Sequence, residues 1–169
     1  MSSRGFFYFR PNGAFCAESG PETLEIYFTH EEVRNWQPPR FELAEGDPRT
    51  DLMPNDAGWL LCTPKLRTVL DARLGANDSV NWLPVDVYQG SERLHYLLPR
   101  VPAPASMMHA DAFDEDGSFA VYVLKRSLVV GRSLFSSPES NQIFVSGDVK
   151  RAVTESGCTG VRFFTVPTR

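Results

Sequence analysis

Cys62 has the strongest physical case for reactivity in this chain. It closes the apolar run Gly58-Trp59-Leu60-Leu61-Cys62 and stands just ahead of Thr63-Pro64, a helix-start signal. A thiol beside a helix N-terminus can be held as the nucleophilic thiolate. Such a nucleophile needs a base, and the three histidines, His30, His95 and His109, fall in no catalytic motif. A free cysteine ending an apolar strand is otherwise a buried structural residue. An inert core thiol is therefore the expectation and an enzyme using Cys62 the alternative.

Other catalytic templates fail on residue type. A hydrolase elbow needs Gly-x-Ser-x-Gly between strand and helix, and neither Leu61-Cys62-Thr63-Pro64-Lys65 nor Val145-Ser146-Gly147-Asp148 supplies it. The phosphate loop and the dinucleotide fingerprint are both absent from the sequence. Cys16, Cys62 and Cys158 share no short spacing, so no zinc set is predicted. Asp111-Ala112-Phe113-Asp114-Glu115-Asp116-Gly117 has the carboxylates of a calcium loop. Placing Gly117 at the sixth position puts Ala112 first and Val123 last, where carboxylates are required. No catalytic residue, metal or cofactor is expected.

What remains is recognition chemistry. Asp111, Asp114, Glu115 and Asp116, with Phe113 among them, form an acidic loop that suits a basic partner; a plain solvated loop is the alternative. Trp36 and Phe41 flank Pro38-Pro39 and form a second candidate contact. An exposed aromatic there is an anchor, whereas a buried one caps the core.

Bulk properties agree with a binding protein. The 169 residues suit one domain, and a formal charge of −4, with acids outnumbering bases 21 to 17, argues against nucleic acid. The apolar run Phe6–Phe9 is too short for a signal peptide, and no stretch approaches a membrane span. Three cysteines, an odd number without a framework, favour a reducing cytoplasm.

The elements that must position these residues are short. Phe6–Phe9 and Leu24–Phe28 read as strands, and Gln37–Asp56, with Pro38, Pro39, Pro48 and Pro54, as an irregular surface segment. Gly58–Cys62 reads as a buried strand, Thr63 as a cap, Pro64 as the first helical residue and Gly75 as the stop. Val80–Val87 predicts a strand bent at Pro84, and Leu94–Leu98 returns beside it after Gly90-Ser91. Phe119–Leu124 and Leu128–Val130 read as strands, and Ser133–Asn141 as a polar loop around Phe135. Gln142–Val145, the cap Ser146, the stripe Val149, Ala152 and Val153, the stop Gly157 and Gly160–Pro167 then repeat strand, helix, strand. These stretches look like two similar β-α-β units, although β-α-β is a common motif in itself. The predicted fold is α+β: a mixed, mainly antiparallel sheet with two short helices.

The order of motifs resembles a family of bacterial immunity proteins. The carriers are Trp59-Leu60-Leu61-Cys62-Thr63, Leu66-Arg67, Val69-Leu70 and Val80-Asn81-Trp82-Leu83-Pro84-Val85, then Leu134-Phe135, Ile143-Phe144-Val145-Ser146 and Gly157-Cys158-Thr159-Gly160-Val161-Arg162-Phe163. The family serves polymorphic, contact-dependent toxin systems, notably the swarming-inhibition type, and was long known only as a domain of unknown function. The resemblance spans residues 58–166 of a single domain; residues 1–57 carry no matching motif. A sister group with paired Cys-x-x-Cys-Gly motifs differs from this chain, which lacks the pairs. The resemblance implies a protein that binds and neutralises a cognate toxin domain in the producer's cytoplasm. A small-molecule-binding regulatory module enclosed between the two β-α-β units is a further alternative.

Overall fold

Alternating aromatics set the first strand: β1 (Phe6–Pro11) sends Phe7 and Phe9 to one face of its sheet and Phe6 and Tyr8 to the other. The structure is a computed structural model that describes residues 5–18 and 30–169. It continues through β2 (Cys16–Glu18), β3 (Arg40–Leu43), β4 (Leu52–Met53), β5 (Leu61–Cys62), α1 (Pro64–Asp71), β6 (Asn81–Gln89) and β7 (Glu92–Arg100). A 3-10 turn (Ala110–Ala112) precedes α2 (Arg126–Val129), β8 (Leu134–Phe135), β9 (Phe144–Ser146), α3 (Gly147–Glu155) and β10 (Val161–Val166). The strands form one sheet in the order β10-β1-β9-β8 and a second in the order β2-β3-β6-β7-β5-β4. Every ladder is antiparallel except β3 with β6, so the fold is α+β with mainly antiparallel sheets. Among the described residues, no helix is long and apolar enough to cross a membrane.

The two β-α-β stretches share more than a common motif. Thr63 (φ −70°, ψ 161°) and Ser146 (φ −71°, ψ 162°) cap α1 and α3, each accepting the N–H three residues on, from Leu66 and Val149. In each unit the two parallel strands are held apart by an antiparallel one: β7 lies between β5 and β6, and β1 between β9 and β10. With the outer strands added, β6-β7-β5-β4 matches β10-β1-β9-β8 position for position. The second unit is circularly permuted. β7 follows β6 through the tight Gly90-Ser91 turn, where Gly90 has φ 60°, whereas β1 comes first in the chain.

Three apolar clusters hold these layers. Leu66 and Leu70 of α1 meet Val149 and Val153 of α3 in the first, with Phe9, Leu52, Cys62 and Val145. The opposite face of the six-stranded sheet buries Phe41, Trp59, Val85, Val87, Tyr96 and Leu98. Residues 101–130 fold as an excursion over the outer face of the four-stranded sheet, where Met107, Met108, Val123 and Leu124 cover Phe135, Phe144 and Val166.

A polar seam joins the units. Thr159 O accepts the N–H groups of Asp51 and Leu52 at 3.0 and 3.2 Å. Reciprocally, Asp78 Oδ2 accepts those of Ser133 and Leu134 at 2.9 and 3.4 Å. The loop after each helix thus satisfies the backbone where the edge strand of the other unit begins. A Cβ on Gly160 would lie 2.5 Å from Leu52 O, which requires glycine there and gives the run 157–163 its physical meaning.

Several expectations are corrected. The proline-bearing segment 37–56 contains β3 and β4, because alternating Phe41 and Leu43 bury their side chains while the prolines lie outside the strands. Phe119–Leu124 is no strand; Leu124 makes only isolated bridges to Met108 and Thr168, and the run works as an irregular cover. Leu128 and Val129 belong to α2, and Leu134 and Phe135 form β8 within the presumed polar loop. Helix α1 ends before Gly75, whose N–H instead reaches Asp78 Oδ2 at 2.9 Å. The expected strand Leu24–Phe28 lies outside the described residues.

Candidate partner-binding surface

The acidic residues sit on a preformed turn of the excursion. Phe113 and Phe119 bridge its base, Asp114 N donates to Ser118 O at 2.8 Å, and Gly117 N returns to Asp114 O at 2.9 Å. Gly117 takes φ 83°, which a side chain would strain. The backbone N–H of Ser118 donates to Asp116 Oδ1 at 2.9 Å, and this bond holds the Asp116 carboxyl below its ordinary value. Asp114, Glu115 and Asp116 are exposed at the tip.

Asp111 and Phe113 have different roles. Asp111 stands at the 3-10 turn, paired with Arg169 at 2.9 Å and lying 3.4 Å from His109 Nδ1, so its charge is answered inside the chain. Phe113 is half-buried and edge-on to Phe119 at 6.1 Å. It pins the turn to the body. Phe119 lies 5.2 Å from Tyr122, which lies 5.2 Å from Tyr8, and an aromatic track runs from the turn to β1.

The segment with Trp36 and Phe41 divides. Trp36 is half-buried, donates Nε1–H to Pro84 O at 2.8 Å and packs 6.0 Å from Trp59. Phe41 is fully buried and lies 5.9 Å from Trp59, so the expectation of a surface contact at Phe41 is corrected: β3 turns it into the core.

Cys62 is fully buried in the first cluster, and burial pushes its thiol pKa up, away from the thiolate a nucleophile needs. Where α1 meets α3 the units are tightly packed, and the gap bounded by Phe9, Leu66, Leu70, Val153, Val161 and Phe163 leaves no room for a water molecule; a pocket of about 200 Å³ lies at the other junction, lined by Asn77, Asp78, Ser79, Arg132 and Leu134. Among the described residues, no three His, Cys, Asp or Glu side chains gather as metal ligands.

Sequence reasoning missed the apolar part of the surface. Four large apolar side chains are exposed among the described residues, and three of them, Val121 (53%), Leu128 (43%) and Val130 (68%), belong to the excursion. Their β-branched, leucine-rich runs imitate strands, and only the tertiary arrangement exposes them. Charged and apolar groups together on one excursion can recognise a macromolecule. No protein-family model and no curated protein matches this chain.

Proposed function

We propose that this protein is an immunity factor that binds a cognate toxin domain in the cytoplasm of the producing cell and neutralises it there. The observation that carries the reading is the excursion: a turn already folded, three exposed carboxylates at its tip, and exposed Val121, Leu128 and Val130 in the same segment. A surface rigid before binding loses little entropy on docking. Carboxylates at its tip steer a basic partner, and nuclease toxins are often basic. The motif order of residues 58–166 supports the same reading through its resemblance to immunity proteins, and the burial of Cys62 weighs against the leading catalytic candidate.

Co-expression with a toxin domain found encoded beside this gene tests the proposal: growth is restored and the two proteins co-purify. Asp114→Lys, Glu115→Lys and Asp116→Lys together weaken the complex by about tenfold or more, chiefly through slower association and with a reduced salt dependence. Full toxicity with no complex would reject the antidote reading, and unchanged affinity of the triple variant would remove the turn from the interface.

A further inference from the structure

Arg10 and Arg162 stand directly opposite each other on β1 and β10, and both are exposed. Like charges in that relation repel. No carboxylate among the described residues lies within ion-pair distance of either guanidinium. Each instead lies over an aromatic ring of its own strand: Arg10 is 5.5 Å from the centre of Tyr8, and Arg162 is 5.1 Å from that of Phe164. Tyr8 and Phe164 are themselves cross-strand partners, stacked at 5.1 Å with planes 11° apart. The four side chains make a two-by-two block, rings beneath one pair of positions and cations beside them.

A charge on an edge strand guards against unwanted strand pairing. That accounts for Arg162, since β10 is an edge. It does not account for a second cation directly opposite: Arg10 stands two residues past the β9 ladder, which ends at Tyr8, and one charge would guard that end. A pair of cations that repel each other inside one ladder is stabilised by an anion set between them.

We propose that Arg10 and Arg162 form a clamp for a carboxylate presented by an acidic segment of a partner protein. The planar fork of a guanidinium matches a carboxylate with two parallel hydrogen bonds, and two forks side by side hold one from both flanks. Cation–π stacking orients both forks before the ligand arrives. Single-stranded nucleic acid fits this block less well. Its bases need free aromatic faces, and here Tyr8 and Phe164 stack on each other and lie under the guanidiniums. The clamp goes beyond the antidote reading and stands on side chains that reading does not use.

The experiment is a titration of the intact protein with a hexaglutamate peptide at low salt, followed by calorimetry and by the Nε–H signals of the arginines. Hexaglutamate binds and shifts the Arg10 and Arg162 signals; Arg10→Gln with Arg162→Gln weakens it about tenfold or more, as loss of charge-assisted bonds requires. Arg10→Lys with Arg162→Lys keeps the charge, loses the fork and gives an intermediate affinity. Asp114→Asn, Glu115→Gln and Asp116→Asn leave hexaglutamate binding intact or strengthen it, so failure of the acidic turn and failure of the clamp are read separately. Equal binding by the double glutamine variant, no binding to the native chain, or tighter binding of oligothymidylate or inorganic phosphate would each overturn the proposal.

Discussion

Asp51 ties three residues together at the seam. Its oxygens accept from Thr63 Oγ1 at 2.7 Å and from the Thr159 N–H at 2.8 Å, and Lys65 Nζ lies 3.6 Å away. Burial alone would raise its pKa, but the Thr63 and Thr159 hydrogen bonds and the charge of Lys65 outweigh it, and the carboxyl is held below the ordinary 3.8. Asp51→Ala therefore lowers stability by about 2–3 kcal/mol at neutral pH, since hydrogen bonds to a charged group are lost. A carboxyl depressed by folding stabilises above its unfolded value and ceases to as the pH falls through its folded one. Denaturant unfolding of both proteins checks this: the gap is constant from pH 8 to about 5 and narrows below about 4. None of this was legible beforehand, because Asp51 and Thr159 are distant in sequence. Cys62 shows the same limit. Its place before a helix was readable, whereas the burial that disfavours its thiolate depends on α3 and β1 packing over it.

The starts of α1 and α3 were the most readable boundaries, because capping is local chemistry, whereas the end of α1 and the whole of α2 were not. Thr63-Pro64 and Ser146 start α1 and α3 where their side chains dictate, and Gly157, at φ 67°, stops α3. Thr63→Ala and Ser146→Ala each cost about 1 kcal/mol in thermal or denaturant unfolding as caps alone. The first costs more, because Thr63 also donates to Asp51. Comparable losses in the two variants would indicate that this second bond contributes nothing. Strand assignments were less secure. Phe41 and Leu43 carry the alternation of a strand amid prolines, and Phe119–Leu124 carries the composition of one without a neighbour to pair along its length. Pairing is a property of two segments, and one segment's composition does not specify it.

At the scale of the whole molecule, the α+β class and the two repeated units were legible, and the order of the strands was not. Nothing local announces that β1 inserts between β9 and β10, or that the two sheets share one strand order in permuted form. The candidate surface shows the same division. Its carboxylates were read from composition, while the arginine pair exists only through the register of β1 on β10. That permutation also governs how the chain folds. In the six-stranded sheet, the central pairing closes across a two-residue turn, Gln89 opposite Glu92. In the four-stranded sheet, Phe6 must find Val166 from the far end of the described chain, a slow and entropically costly search. Pulse-labelled hydrogen exchange during refolding shows amides of β6 and β7 protected first and those of β1 and β10 last; simultaneous protection would mean both sheets nucleate together. On a ribosome, β1 is made long before β9 and β10, and until they emerge both faces of its Phe-Phe-Tyr-Phe run are in the care of whatever binds nascent apolar chain.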